Sequence, residues 1–415
     1  GTGRLTVGSG HTLRGAGTIA TSVTNLGQVT ATGRFTVNAG SGSSFDNSAG
    51  QIRVADGGTV VVSLGALSGG SLQGTGPNSR LSGGGSGGFQ SVALSGDLLL
   101  TGGTTLQDVS NSGNLQLLGG SHANLMGHIT NTGSFTLLGN GNTGTAAVYL
   151  VADTVLSGGG STVLSDANYS YIGGPATLTV GAGHTLRGAG YVTTSLTNQG
   201  TVVATGVLTV NAGTGSSFDN GAGLVQVANG GTLALSGGTM TGGTVQGTGP
   251  NSRLAGNGSF QALTMSGDLL LTGGTTLNGI TNAGSLRLQG GASTTWAGSI
   301  VNNGSFTVLG NGNAGTAAVY LAGDATLAGT GSTVLSDANY SYIGGSGALT
   351  VASGHTLRGT GYVTTSVANR STVIADGVLT VSAGSNTSFD NAGGLVQVAD
   401  GGRLVLAGGS FSGGT

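Results

Sequence analysis

Residues 183–213 read GHTLRGAGYVTTSLTNQGTVVATGVLTVNAG. Short β-branched runs are each stopped by Gly or Asn, and no apolar spacing of three and four residues runs through them, so the stretch predicts strands and not a helix. Near-copies occupy residues 10–40 and 354–384, so that His11, His184 and His355 are set apart by two long steps of nearly equal length. Other landmarks keep that spacing: Phe45, Phe218 and Phe389 in SFDN, Pro77 and Pro250 in TGPNSRL, Asp166 and Asp337 in LSDANYSYIGG. The small difference between the steps falls where GGGSGGFQ (83–90) becomes GNGSFQ (256–261). The chain is therefore a tandem array, with long repeats expected at 1–173 and 174–344 and a partial one at 345–415.

Within residues 177–347, eight segments of roughly 20 residues each follow one another, opening with TLTV, TVVA, LVQV, TVQG, LTMS, SLRL, SFTV and ATLA. Strict alternation puts one face of each run inward and the other toward solvent. Between runs stand Asn and Gly, as in TNQG (197–200), DNGAG (219–223), TNAG (281–284) and VNNG (301–304). These are expected to tolerate the left-handed backbone of a sharp corner. Their Asn side chains are expected to hydrogen-bond up the stack.

A unit of about 20 residues with two or three short strands is one coil of a solenoid. The expected fold is all-β: a parallel β-solenoid, specifically a right-handed β-helix, forming one continuous elongated rod. At roughly 4.8 Å per coil, a long repeat advances about 38 Å. A β-propeller needs blades of about 40–50 residues with aromatic signatures, and the chain has one Trp, Trp296.

Composition agrees. The chain has 90 Gly among 415 residues, and all 13 acids are Asp and all 11 bases Arg. Missing Glu and Lys removes good helix formers. A net charge of −2 gives no footprint for nucleic acid, and no apolar run approaches the roughly 20 residues of a membrane span. Absent Cys removes disulfides and thiolate metal sites. Gly1 aligns with Gly174 and Thr415 with Thr244, so a segment of a longer repetitive protein is expected.

Coils such as TLRGAGYVTTSLTNQGTVVATGVLTVNAG (185–213), with their N-x-G-x-apolar corner and G-x-T-L-x-G-x-G phrase, resemble the β-helical stalks of large bacterial surface exoproteins. These are the filamentous haemagglutinin-like adhesins, contact-dependent inhibition proteins and autotransporter passengers. The resemblance implies a non-enzymatic structural or adhesive role at a bacterial cell surface or in an extracellular filament or biofilm. Its partners would be the cell surface, polysaccharide or like copies of the chain. A self-assembling matrix or sheath fibre and a polysaccharide-cleaving β-helix enzyme are the alternatives.

Residues with chemistry to offer are few. His184 and Arg187, like His11 with Arg14 and His355 with Arg358, are expected to flank an inward Leu and decorate the outside, where His184 and Arg187 would join the tyrosines below in a contact patch. A lone His without a second ligand makes no metal site. SFDN is expected to form an Asx turn with its Phe capping the core. Calcium needs several carboxylates in one loop, and glycoside cleavage a carboxylate pair; isolated Asp residues favour neither. No metal, cofactor or catalytic residue is assigned. Tyr169 and Tyr171, repeated as Tyr340 and Tyr342, form a period-2 pair with both rings on one face. Outward, they could stack on sugars or on a neighbouring filament; inward, they would close a wider coil.

Overall fold

A computed structural model describes residues 3–38, 44–84, 87–213, 215–382 and 387–415. The described residues are all-β and contain no helix. They form a parallel β-solenoid of about 19 turns of ~21 residues. Strands of successive coils pair in parallel register; the antiparallel pairings among the described residues are two single bridges, Asn140 with Gly144 and Asn311 with Gly315. The chain divides into two compact units, residues 1–203 with 207–209 and residues 204–206 with 210–415. Both are built the same way. Of the extra residues in the first long repeat, 85 and 86 lie outside those described.

In the first unit one inward column runs Leu98, Leu115, Phe135, Thr162, Leu186. In the second the same column runs Leu269, Leu286, Phe306, Thr333, Leu357, Val373. Every member is at most 2% exposed. Alternation carries this inward set: Val225 and Val227 are buried in Leu224–Val227 while Leu224 and Gln226 face out. Ordering a coil of this length costs about 20–40 kcal/mol of backbone entropy. Each buried aliphatic side chain returns about 1.5–3 kcal/mol, and only when a coil above and a coil below complete its contacts. Stacking is thus the condition for folding.

Coil length varies more than the sequence suggests. Val180 stacks under Asn198, whereas Ser305 stacks under Ser332, a step half as long again. The long step contains the bridged loop Asn311–Gly315, which adds residues at a corner without altering the strands.

The corners hold by side-chain amides. Asn25 Nδ2 donates to Asn47 Oδ1 at 2.7 Å, and Asn111 to Asn131 at 2.8 Å. Asn282 donates to Asn302, and Asn369 to Asn391, both at 2.7 Å. All eight amides are at most 2% exposed. Asn302 passes the chain of bonds to the Ser332 carbonyl at 2.8 Å. Each first Asn also accepts from its own corner, as Asn282 Oδ1 does from the Gly284 N–H at 3.1 Å. The expected Asn ladder is present as buried pairs.

The expected left-handed backbone at these corners is not. Gly200, Gly284 and Gly304 lie outside the positive-φ set, as do the Asn residues before them. Gly is required there by space. A Cβ on Gly200 would stand 2.4 Å from the Gly181 carbonyl oxygen and 2.5 Å from that of His184. Positive φ falls elsewhere, as at Gly183 with φ +80°, where nothing crowds the position.

Replacing Asn302 with Ala removes two buried bonds between coils, the one it accepts from Asn282 Nδ2 and the one it donates to the Ser332 carbonyl. Such a loss costs about 1–3 kcal/mol. Hydrogen exchange at the Gly304 and Ser332 amides is expected to lose protection by that amount, while Asn142→Ala in the exposed loop leaves them unchanged. Exchange is the right measure because a stacked array does not unfold in one step.

Candidate functional site

The recurring His-Thr-Leu-Arg phrase splits between inside and outside. His184 and His355 are fully buried, which corrects the expectation that they decorate the surface. The reason lies one coil earlier. Thr162 and Thr333 interrupt the aliphatic column with a hydroxyl, and the imidazoles supply its partner: Nε2 lies 3.0 Å from Thr162 Oγ1 and 3.1 Å from Thr333 Oγ1. Nδ1 of both rings makes no well-formed hydrogen bond. Burial pushes the His184 imidazole below its ordinary pKa, opposed only in part by the Gly158 backbone. Burial lowers His355 to about 4 against the backbone of Asn302 and Gly329. His11 is exposed. Arg187 is exposed too, as expected, while Arg358 forms a bidentate pair with Asp376 at 2.8 and 2.9 Å.

SFDN forms as expected. Phe45, Phe218 and Phe389 are buried. Asp46, Asp219 and Asp390 each accept a backbone N–H two residues on, at 2.9 Å. The Ser48 hydroxyl and amide hold Asp46 below the usual carboxylate range, and Arg370 does the same for Asp390. Other carboxylates staple one coil to the next: Asp56 accepts from Asn78 N, Asp108 from His128 N, Asp153 from Thr177 N and Asp324 from Ala348 N, at 2.8–2.9 Å. Among the described residues no three His, Asp or Glu side chains gather where they could hold a metal ion.

The tyrosines do not form the expected pair. Tyr169 sits in a turn after Asp166, whose Oδ1 accepts from Asn168 N and Tyr169 N at 2.8 and 3.1 Å. Ser170 then turns fully inside, its hydroxyl donating to the Leu137 carbonyl at 3.2 Å. Tyr171 stands on the following strand, half-exposed. Tyr340, Ser341 and Tyr342 repeat this arrangement. The Asx turn rotates Tyr169 out of the strand, so strand alternation does not apply to it.

Tyr171 instead belongs to a row running from coil to coil. Tyr149 lies beside it, ring centroids 5.9 Å apart and tilted by 59°, and Tyr191 stacks next in register. In the second unit Tyr320, Tyr342 and Tyr362 form the same row, with 5.9 Å between the first two rings. Tyr149 is 42% exposed and Tyr320 46%. The row was readable: Tyr149, Tyr171 and Tyr191 follow one another at the coil period, and the phrase AAVYL recurs at 146–150 and 317–321. No known protein family and no characterised protein matches this sequence.

The buried imidazoles make stability depend on pH with a definite sign. Well above pH 6.5 the two buried imidazoles are neutral in folded and unfolded chain alike. As pH falls from there toward 4, the unfolded chain takes up protons that folded His355 refuses, so stability is lost across that window, by on the order of 3 kcal/mol. Melting His355→Leu/Thr333→Val across this range should show a weaker pH dependence than the parent, with little change at neutral pH because both polar partners are removed together. A strong chelator is expected to leave the melting midpoint of the parent chain where it is.

Proposed function

We propose that this chain serves as the stalk or filament of an extracellular, bacterial surface adhesin, giving repeated weak contacts along a solenoid. The observation that carries the reading is how the polar groups are spent. Buried Asn pairs, Thr–His pairs and Asp staples bind coil to coil, while an uncharged tyrosine row recurs outward in both units. A structural scaffold with a duplicated contact surface suits attachment by avidity, in which weak sites add their effects. The resemblance to filamentous haemagglutinin-like stalks and autotransporter passengers points the same way, toward a secreted product at a cell surface or in a biofilm. Cell-surface polysaccharide is the favoured class of partner. The contact surface is assigned to Tyr171 and Tyr342 with their row neighbours. Tyr169 and Tyr340 stand apart from that row in their Asx turns, Arg187 is exposed on the strand that carries Tyr191, and His184 is removed from the surface by burial.

The test is a series of chains with one, two and four long repeats. Removing residues 174–344 joins Gly173 to Gly345, which takes the place of Gly174; φ is +129° at Gly174 and +134° at Gly345. The coil register is therefore expected to survive. Attachment to cells should rise gradually with repeat number. An all-or-none loss tied to one copy would sink the reading and favour a single active or receptor site.

A further inference from the structure

Beside the tyrosine row one outward column opens into a cleft, and the two long repeats differ there. One outward column runs His122, Ala147, Tyr171, Tyr191. Tyr149 belongs to the neighbouring column, between Asn124 and Gly173. Between His122 and Tyr171 the column therefore holds only the methyl group of Ala147. The opening is a cleft of ≈ 440 Å³, lined by Gly120, Ser121, His122, Thr145, Ala147 and the two rings of Tyr149 and Tyr171. That volume lies within the range of small-ligand sites. His122 meets the Tyr149 ring edge-on at 5.9 Å, so three rings from three successive coils border one cavity.

The wall is fixed in advance. Tyr171 lies over Gly173, where a Cβ would come within 2.2 Å of the Tyr171 hydroxyl. That hydroxyl accepts a hydrogen bond from Thr193 Oγ1 at 2.7 Å. Little side-chain freedom is left at Tyr171 to be lost on binding. Polar groups remain available: the Tyr149 hydroxyl makes no hydrogen bond among the described residues, and Ser121 Oγ accepts from Gly102 N at 3.0 Å, leaving its own hydrogen to donate. No Asp or Arg lines the cleft. The Tyr149 ring stands between His122 and Tyr171, 5.9 Å from each, so a guest lies against the rings from the open side of the cleft, where a pyranose presents one apolar face and a rim of hydroxyls.

We infer that this cleft binds a neutral saccharide unit, its apolar face on Tyr149 and Tyr171 and its hydroxyls toward His122, Ser121 and Thr145. A charged glycan finds no Arg to pair with, and a purely apolar guest would leave the hydroxyls and imidazole unused. In the second unit the corresponding column is Ser293, Ala318, Tyr342, Tyr362, and Ala292 stands where the first has Ser121. The two tyrosine rings are kept while the imidazole and the Ser121 hydroxyl are lost, so the first copy is the stronger site. This deepens the adhesion reading by naming the ligand class and the residues.

The experiment uses the whole chain, titrated by calorimetry and ligand-observed NMR. The probes are neutral hexasaccharides (glucan, chitin and mannan fragments), with oligogalacturonate as the charged arm. At least one neutral probe should bind, and Tyr149→Ala should weaken it about tenfold or more. His122→Ser should weaken the first site toward the second, while Ala292→Ser/Ser293→His should raise the second. All substitutions except that of Ala292 are at exposed or half-exposed positions, and unchanged melting verifies folding. The inference is overturned if Tyr149→Ala leaves binding unchanged or if only the charged probe binds. It is also overturned if no neutral probe binds but the chain self-associates through Tyr149, which would assign the cleft to a second copy. Attachment that still grades with repeat number while no neutral saccharide binds would remove this inference and leave the adhesive role standing. Saccharide binding without graded attachment would do the reverse.

Discussion

The spacing between coils governs this structure. Each strand must satisfy its backbone donors and acceptors with the strand one coil above and one below, at about 4.8 Å. The corners must pass each other at that same spacing, although a turning backbone does not keep its polar groups aligned with the stack. The Asn pairs resolve the conflict: Asn282 bonds its own corner through Gly284 N and O and the next coil through Asn302 Oδ1 and the Ser305 carbonyl. Where the passage is too close for any side chain, Gly stands. At Gly304 a Cβ would lie 2.0 Å from the Gly284 carbonyl oxygen. Glycine content here reflects proximity of backbones as much as freedom of φ.

What could be read from the sequence follows from the same constraint. Alternation, corner spacing and the long repeat are local or periodic, so the solenoid, the mean length of its coils, the buried Phe of SFDN and the Asn pairs were all legible. The interior position of His184 was not. Whether a polar residue beside a corner faces in depends on what the previous coil offers it, and that partner, Thr162, lies a whole coil earlier. Without the register, a His followed by Thr-Leu-Arg reads as surface. Tyr169 failed for a different reason: the Asp166 side chain takes its amide and converts strand into turn. Tyr149 was visible at the coil period but lies one column off its neighbour, a displacement that only the register of Ala147 against Tyr171 reveals.

Charge is scarce because the architecture has little use for it. The stapling Asp residues act as acceptors for backbone amides. At one staple the first long repeat has Asp56 accepting from Asn78 N at 2.9 Å, and the second has Asn229 accepting from Asn251 N at 3.1 Å. A neutral amide does the same work, so the bond needs an oxygen and not a charge. Exposed ion pairs such as Arg358 with Asp376 add little, since water competes for both partners. An array held by neutral hydrogen bonds also loses little cohesion to salt screening.

Comparison of the two long repeats separates what the fold demands from what it leaves open. Ser91 and Ala262 both hold φ at +52°, and Asp108 at +50° is replaced by Gly279 at +59°. Backbone conformation persists through the exchange even where the side chain is lost. Inside the core, Leu125 gives way to Trp296, which packs on Phe306 at 5.2 Å and leaves its indole N–H without a partner. The stack absorbs that change because each coil answers only to its neighbours. Outward positions are freer still, as the exchange of His122 for Ser293 shows. Copies of one scaffold can thus diverge in the floor of a surface cleft while Tyr149/Tyr320 and Tyr171/Tyr342 keep its walls, so a single array can carry graded versions of one contact without altering the coils that hold them.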